Sequence, residues 1–230
     1  MKMKFKVSRD DCIAESKRFF KYYDRFCKSP NSDDLREVLA SVYSANDKLR
    51  KAGMGDFFEN EEFLAIKAIR NFFIHQAELL NETKSLPVIS DVPISGEIHI
   101  VCLVPIERFK LIKEASNKAA NESFDKTIVF YRDFVDIYPC IFNFGVKFYF
   151  FIKDLDFNLD TEEVLKLENS LELERKNNYS HYIKGGISLP QGGCVDEFLS
   201  KNLISMNERK QIIETLYTEK NGMYSLKLSI

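Results

Sequence analysis

Tryptophan is absent from this chain, none of its five cysteines stands at C-x-x-C spacing, and no apolar run is long enough to span a bilayer. Each absence excludes something. Cys12, Cys27, Cys102, Cys140 and Cys194 are scattered, which is neither a zinc-site pattern nor a disulfide framework, and reduced thiols in a cytoplasm are the simplest account. The most apolar stretch, Cys140 to Ile152, is interrupted by Asn143, Gly145 and Lys147, so no membrane partner is expected. The opening MKMKFKVSRDD lacks the apolar centre of a signal peptide, which again leads us to expect a cytoplasmic chain. An excess of basic charge is also missing. Lys and Arg number 33 against 35 Asp and Glu, a net charge of −2, which argues against broad nonspecific binding of nucleic acid and leaves an RNA partner only a local patch to grip. No G-x-x-x-x-G-K-[ST], G-x-S-x-G or Cys–His signature occurs, and no set of His, Cys or carboxylates has metal-ligand spacing, so neither a metal nor a cofactor is expected. Gly185, Gly186, Gly192 and Gly193 read as flexible connection, and the acidic stretch Thr161 to Glu174 as a solvated face.

What is present describes an ordinary globular protein. Apolar residues make up 45% and charged residues 30% of 230, with 20 phenylalanines, enough for one large domain or two small ones. A first helix is expected from Asp10 or Asp11 as cap to about Cys27, and a second from Ser32 to about Lys51, stopped by Gly53 and Gly55. A third runs from Asn60 to Leu80. The two prolines of SLPVISDVPISG, Ser85 to Gly96, mark a surface loop. Beyond it a strand is expected over Glu97 to Val104, then a helix from Pro105 to about Asn121. Phe130, Phe134 and Ile137 favour a helix weakly within the ambiguous Phe124 to Tyr138. Apolar residues at every even position from Phe142 to Ile152 predict a strand. Asp160 with Glu163 reads as the capping box of a helix to about Lys176, and Tyr179 to Cys194 as a loop. Ser205 with Glu208 opens a last helix to about Thr218, and Asn221-Gly222 turns into a terminal strand through Leu226, Leu228 and Ile230. The expected fold is mainly α, a helical-bundle core with a small β-sheet in the C-terminal half (α+β). Its parts are a helical region over 1–85, a linker or loop over 86–96, and a mixed α/β region over 97–230, packed on the helices or separate from them.

The third helix holds the residues that could do chemistry. At 100° per residue, Ile66, Ile69, Phe72, Phe73, Ala77, Leu79 and Leu80 fill an apolar arc of roughly 160°. Lys67, Asn71, His75 and Glu78 form a narrow polar strip opposite, and Arg70 lies at the edge of the apolar arc, where its long side chain can swing its head toward the strip. A helix so apolar must be covered, so the strip is expected to be a groove floor or contact surface.

The pattern Arg70-Asn71-x-x-x-His75 on such a helix resembles the RxxxxH motif of HEPN-domain ribonucleases. The resemblance covers this helix, or Ser32 to Glu82 with the helix before it. It implies a helical, homodimeric endoribonuclease that needs no metal, of a family frequent among toxins and anti-phage effectors, with an antitoxin or defence-system protein as a further partner. On that reading Arg70, Asn71 and His75 are catalytic and Lys67 and Glu78 are candidate substrate contacts. His75 would move the proton as the 2′-hydroxyl attacks, Arg70 would stabilise the phosphate, and Asn71 would orient the phosphate or the histidine. Two other readings stay open. The chain could be a non-catalytic interaction or regulatory module, with Arg70 paired to a carboxylate such as Glu78 and His75 a satisfied core histidine, or the first three helices could merely bind nucleotide or RNA ends.

Overall fold

The computed structural model describes residues 6–28, 31–88, 95–96, 99–189, 193–220 and 223–227. Its first three helices are α1 (Arg9–Lys28), α2 (Ser32–Ala52) and α3 (Glu61–His75). The caps of α1 and α2 lie earlier than the sequence suggested, whereas Asn60, expected as the first residue of α3, is its cap. Ser8 and Asp11 form a reciprocal pair at the start of α1, the Ser8 N–H donating to Asp11 Oδ2 at 2.9 Å and the Asp11 N–H to Ser8 Oγ at 3.1 Å. Asn31, not Ser32, caps α2 by accepting from the Asp34 N–H at 2.8 Å, and Asn60 caps α3 the same way from Phe63. Gly53 ends α2 in the left-handed region, φ +72°, which a side chain would oppose.

The largest correction concerns Phe142 to Ile152. These residues form no strand; they belong to the helix α6 (Tyr138–Asp154), with Pro139 in its first turn. The alternation misled because the odd positions also include apolar residues. Buried Ile141, Phe144, Gly145, Phe148, Tyr149 and Ile152 recur at three- and four-residue steps, as a helix enclosed on most sides requires. Phe144 and Phe148 meet Phe19, Phe57 and Phe63 at ring separations of 4.7–6.0 Å. Gly145 lets α1 approach, since a methyl group there would stand 2.1 Å from the Tyr23 ring.

Between α3 and α6 lie β1 (Glu82–Ser85), β2 (Ser95–Gly96), β3 (Ile100–Pro105), α4 (Ile106–Glu114), α5 (Lys118–Thr127), β4 (Val129–Phe130) and β5 (Phe134–Asp136). The helix expected to run from Pro105 to Asn121 is thus two, divided at Ala115–Asn117, where Asn117 caps α5 by accepting from the Ala120 N–H at 2.9 Å. The weak helix signal near Phe130 and Phe134 is overturned by two short strands. A four-stranded antiparallel sheet has the order β1-β3-β5-β4, with Ser85 opposite Ile100 and Leu103 opposite Asp136. Ser85, expected to open a loop, is instead a fully buried strand end. Alternation along β3 divides the interior: Cys102 and Val104 join the main core, while Val101 and Leu103 join a smaller cluster with Phe198 and Leu199.

The chain ends with α7 (Glu162–Lys176), β6 (Ile187–Ser188) paired to β2, α8 (Val195–Asn202), α9 (Met206–Leu216) and the hairpin β7 (Tyr217–Lys220) to β8 (Met223–Leu226). Asp160 does not cap α7; it pairs with Lys17 at 2.6 Å. Ser205 does cap α9, accepting from the Glu208 N–H at 3.1 Å. Pro190, Gly192, Asn221, Gly222, Leu228 and Ile230 lie outside the described residues. The fold is mainly helical with a small antiparallel sheet, and one main core runs from Cys12 on α1 to Leu171 on α7. No helix among the described residues is long and apolar enough to cross a membrane.

Candidate active site

The centre of α3 is held by its apolar face. Phe63, Ile66, Ile69, Phe72 and Phe73 are buried, and the helix packs on α2, α5 and α6. The helix stops sooner than its pattern suggested. His75 is its last residue, and Gln76 leaves helical geometry at φ −124°, ψ −61°. Leu79 still reaches the core, but Leu80 is exposed at φ +54°. Glu78 is exposed and lies beyond the helix, so the polar strip is helical only from Lys67 through Asn71 to His75.

Arg70, Asn71 and His75 come together at this helix end. Arg70 Nη1 donates to Asn71 Oδ1 at 3.1 Å and stands 3.2 Å from His75 Nε2. A guanidinium can only donate, so this contact requires a neutral imidazole accepting at Nε2, with its hydrogen on Nδ1. The guanidinium carbon lies 4.8 Å from the centroid of the Tyr43 ring on α2, a cation–π contact that props the side chain from behind. Arg70 Nε is buried with no hydrogen-bond partner among the described residues. The carboxylate partner that a structural arginine would call for is missing: among the described residues Arg70 makes no ion pair, with Glu78 or any other acid. His75 is exposed, so it is not a core histidine. The site thus offers one positive charge with neutral neighbours and one imidazole open to solvent.

Lys67 is half-buried, its ammonium 4.7 Å from the Phe58 ring centroid. With Asn71 it lines an open cavity of about 260 Å³ between α3 and the α4–α5 turn, lined also by Phe72, Gln76, Ser116 and Asn117. Sequence reasoning missed Tyr43, Ser116 and Asn117. Tyr43 stands on α2 with nothing local to single it out, and only three-dimensional packing brings it under Arg70.

Other groups with unusual environments lie elsewhere. Asp136 is buried at the end of β5, accepts from the N–H groups of Cys102 at 2.9 Å and Tyr138 at 3.0 Å, and leaves Oδ2 unpartnered. Burial pushes its carboxyl up to about 7. Burial likewise pushes the Cys27 and Cys140 thiols up to about 12, which makes them poor nucleophiles. His99 is held below the ordinary range by burial and by Arg209, and His181 contacts Glu174 at 2.8 Å. Among the described residues no group of three or more His, Cys, Asp or Glu is placed to hold a metal ion.

No protein-family model matches the chain, and neither curated proteins nor solved structures give a match.

Proposed function

We propose that the protein is a metal-independent endoribonuclease of HEPN type, with Arg70, Asn71 and His75 as its catalytic residues. The observation that carries this reading is the contact of Arg70 with Asn71 and an exposed His75, with no carboxylate among the described residues to neutralise the guanidinium. An anion is the natural partner of such a group, and the phosphodiester of RNA supplies one. When a phosphate draws the guanidinium away, His75 Nε2 is released. It can then take the proton of the ribose 2′-hydroxyl as that oxygen attacks phosphorus. The bond to the 5′-oxygen breaks, leaving a 2′,3′-cyclic phosphate on one fragment and a 5′-hydroxyl, once protonated, on the other. Arg70 stabilises the charge that gathers on the phosphoryl oxygens, and Asn71 orients Arg70.

One copy brings a single histidine, His75, to this site, and the reaction needs a proton acceptor and a proton donor. A homodimer meeting along the α3 strip would supply the second His75. The resemblance extends the proposal to a toxin or anti-phage effector with an antitoxin or defence-system partner. The free thiols suit a cytoplasmic setting. A rival reading, an interaction module with a structural Arg70, draws on the Tyr43 contact, which anchors the side chain without a substrate. Wild-type protein should cleave single-stranded RNA and scatter light as a dimer at tens of micromolar, whereas intact RNA across a broad panel, or a monomer, overturns the proposal.

A further inference from the structure

The cavity beside the motif takes no part in the reaction set out above. We propose that it binds one nucleobase of the RNA strand, that of a nucleotide next to the cleaved bond. Its place next to the cleaved bond rests on the ribonuclease reading; its capacity for a base does not.

Three observations point there. The first is size. About 260 Å³ lies at the small end of ligand cavities and suits one ring system rather than a whole nucleotide. The second is chemistry. Leu64, Ala68 and Phe72 give an apolar wall, and the polar lining is mostly neutral. Asn117 spends its Oδ1 on capping α5, which leaves its amide nitrogen to donate. Ser116 donates its hydroxyl to Ile112 O at 2.6 Å, which leaves oxygen lone pairs to accept. Gln76 offers both a donor and an acceptor. Mixed donors and acceptors against an apolar wall match the edge and face of a base. Lys67 is the one charged residue of the lining and carries the sign that a flanking phosphate needs. The third is position. Asn71 belongs to both places, lining the cavity while its Oδ1 accepts from Arg70. A base seated in the cavity therefore holds its own backbone one side chain from Arg70.

Ala115 lines the cavity, is exposed, and sits in ordinary helical geometry at φ −76°, ψ −7°, so Ala115→Trp can fill the space at little cost to the fold. Fluorescence anisotropy with labelled 2′-O-methyl A₆, C₆ and U₆, which cannot be cleaved, measures binding alone. Wild type should prefer one of the three by about tenfold, the scale of one good polar base contact. Ala115→Trp should bind the preferred oligomer at least tenfold more weakly and lose the preference, and exposed Gln76→Ala should narrow it severalfold. Gln76→Ala decides the matter alone if Ala115→Trp fails to fold. Equal wild-type affinity for all three oligomers, no binding, or an unchanged preference in folded variants overturns the proposal. Cleavage of the unmodified RNAs is scored separately. Base-selective binding without cleavage sinks only the ribonuclease reading, and cleavage with a preference that Ala115→Trp leaves intact sinks only the base site.

Discussion

The two ends of α3 treat charge in opposite ways. Near its start, Glu62 is buried, and both its oxygens accept from Lys147 Nζ of α6 at 2.7 Å. Eight residues on, about 12 Å along the axis, the partners of Arg70 among the described residues are neutral: an amide, an imidazole and a tyrosine face. A charge fixed to its counter-ion is part of the scaffold, because its field is spent inside the protein. A charge among neutral groups keeps its field for an incoming anion. Asp136 supplies a third case, an acid with no cation beside it among the described residues, whose burial favours the protonated form. The three residues should therefore respond differently to removal.

The largest effect is expected at the free end. Arg70→Ala and His75→Ala should each lower RNA cleavage by about 10³-fold, roughly 4 kcal/mol of barrier. Their melting temperatures should stay within a few degrees of wild type. Phe73→Ala, in the buried arc of the same helix, should instead cost about 3–5 kcal/mol of stability. Cleavage kinetics beside thermal melts make the comparison. A melting loss for His75→Ala as large as that for Phe73→Ala, with cleavage unchanged, would make the free end structural too.

This contrast was only half legible in the sequence. The 3.6-residue period of Ile66, Ile69, Phe72 and Phe73 identified the buried face, and the motif picked out Arg70 and His75. The helix end was hidden, because apolar Leu79 and Leu80 continue the period after Gln76 has broken the backbone geometry. Nothing local sets Glu62 apart from Glu61 beside it in the first turn; only the passage of Lys147 on α6 makes it a buried partner, and part of α6 read as a strand. Where burial surrounds an element, as on α6, period is lost from the pattern, and Pro139 in the first turn was the better signal. Asp136 gave no signal at all, since its burial depends on β3 and α6 closing over it.

Asp136 is expected to show the second-largest effect, and it appears with pH. Its carboxyl ionises near 3.8 when unfolded and is pushed up to about 7 in the fold. Between those values the unfolded chain has lost a proton that the folded chain still holds. Stability is then fully present below the unfolded value and falls by about 1.4 kcal/mol per pH unit as pH rises, up to the folded value. Asp136→Asn keeps an oxygen for the two N–H groups and cannot ionise. Urea titrations from pH 4 to pH 8 should show the wild type losing on the order of 3 kcal/mol relative to Asp136→Asn. Parallel curves for the two proteins would place Asp136 in a wetter site than its burial indicates.

At the paired end the expected effect is smaller. Glu62→Gln keeps the shape and a hydrogen-bond acceptor but removes the charge. Lys147 is about a third exposed, at 36%, so its ammonium can turn to water and the loss is discounted to about 1–2 kcal/mol. RNA cleavage should be unchanged within twofold. A drop in cleavage as deep as that of His75→Ala, in a variant that melts like wild type, would break the division between the two ends.

The smallest effect is expected on removing metal ions. Cleavage by 2′-hydroxyl attack needs a proton acceptor, a proton donor and positive charge at the phosphate. A bound divalent cation is one way to supply the last. In the proposed site the guanidinium of Arg70 supplies it, because no carboxylate among the described residues neutralises that charge and His75 takes up only one of its donors. Millimolar EDTA should therefore leave the cleavage rate within twofold of its untreated value, and added magnesium or manganese should not raise it. The same measurement on Arg70→Ala sharpens the point. If Arg70 carries the phosphate charge, that variant should stay inactive whatever metal is added. Loss of wild-type cleavage in EDTA, restored by magnesium, would mean that the positive charge at the phosphate is brought by an ion, and the free end of α3 would then serve to hold substrate rather than to drive the reaction.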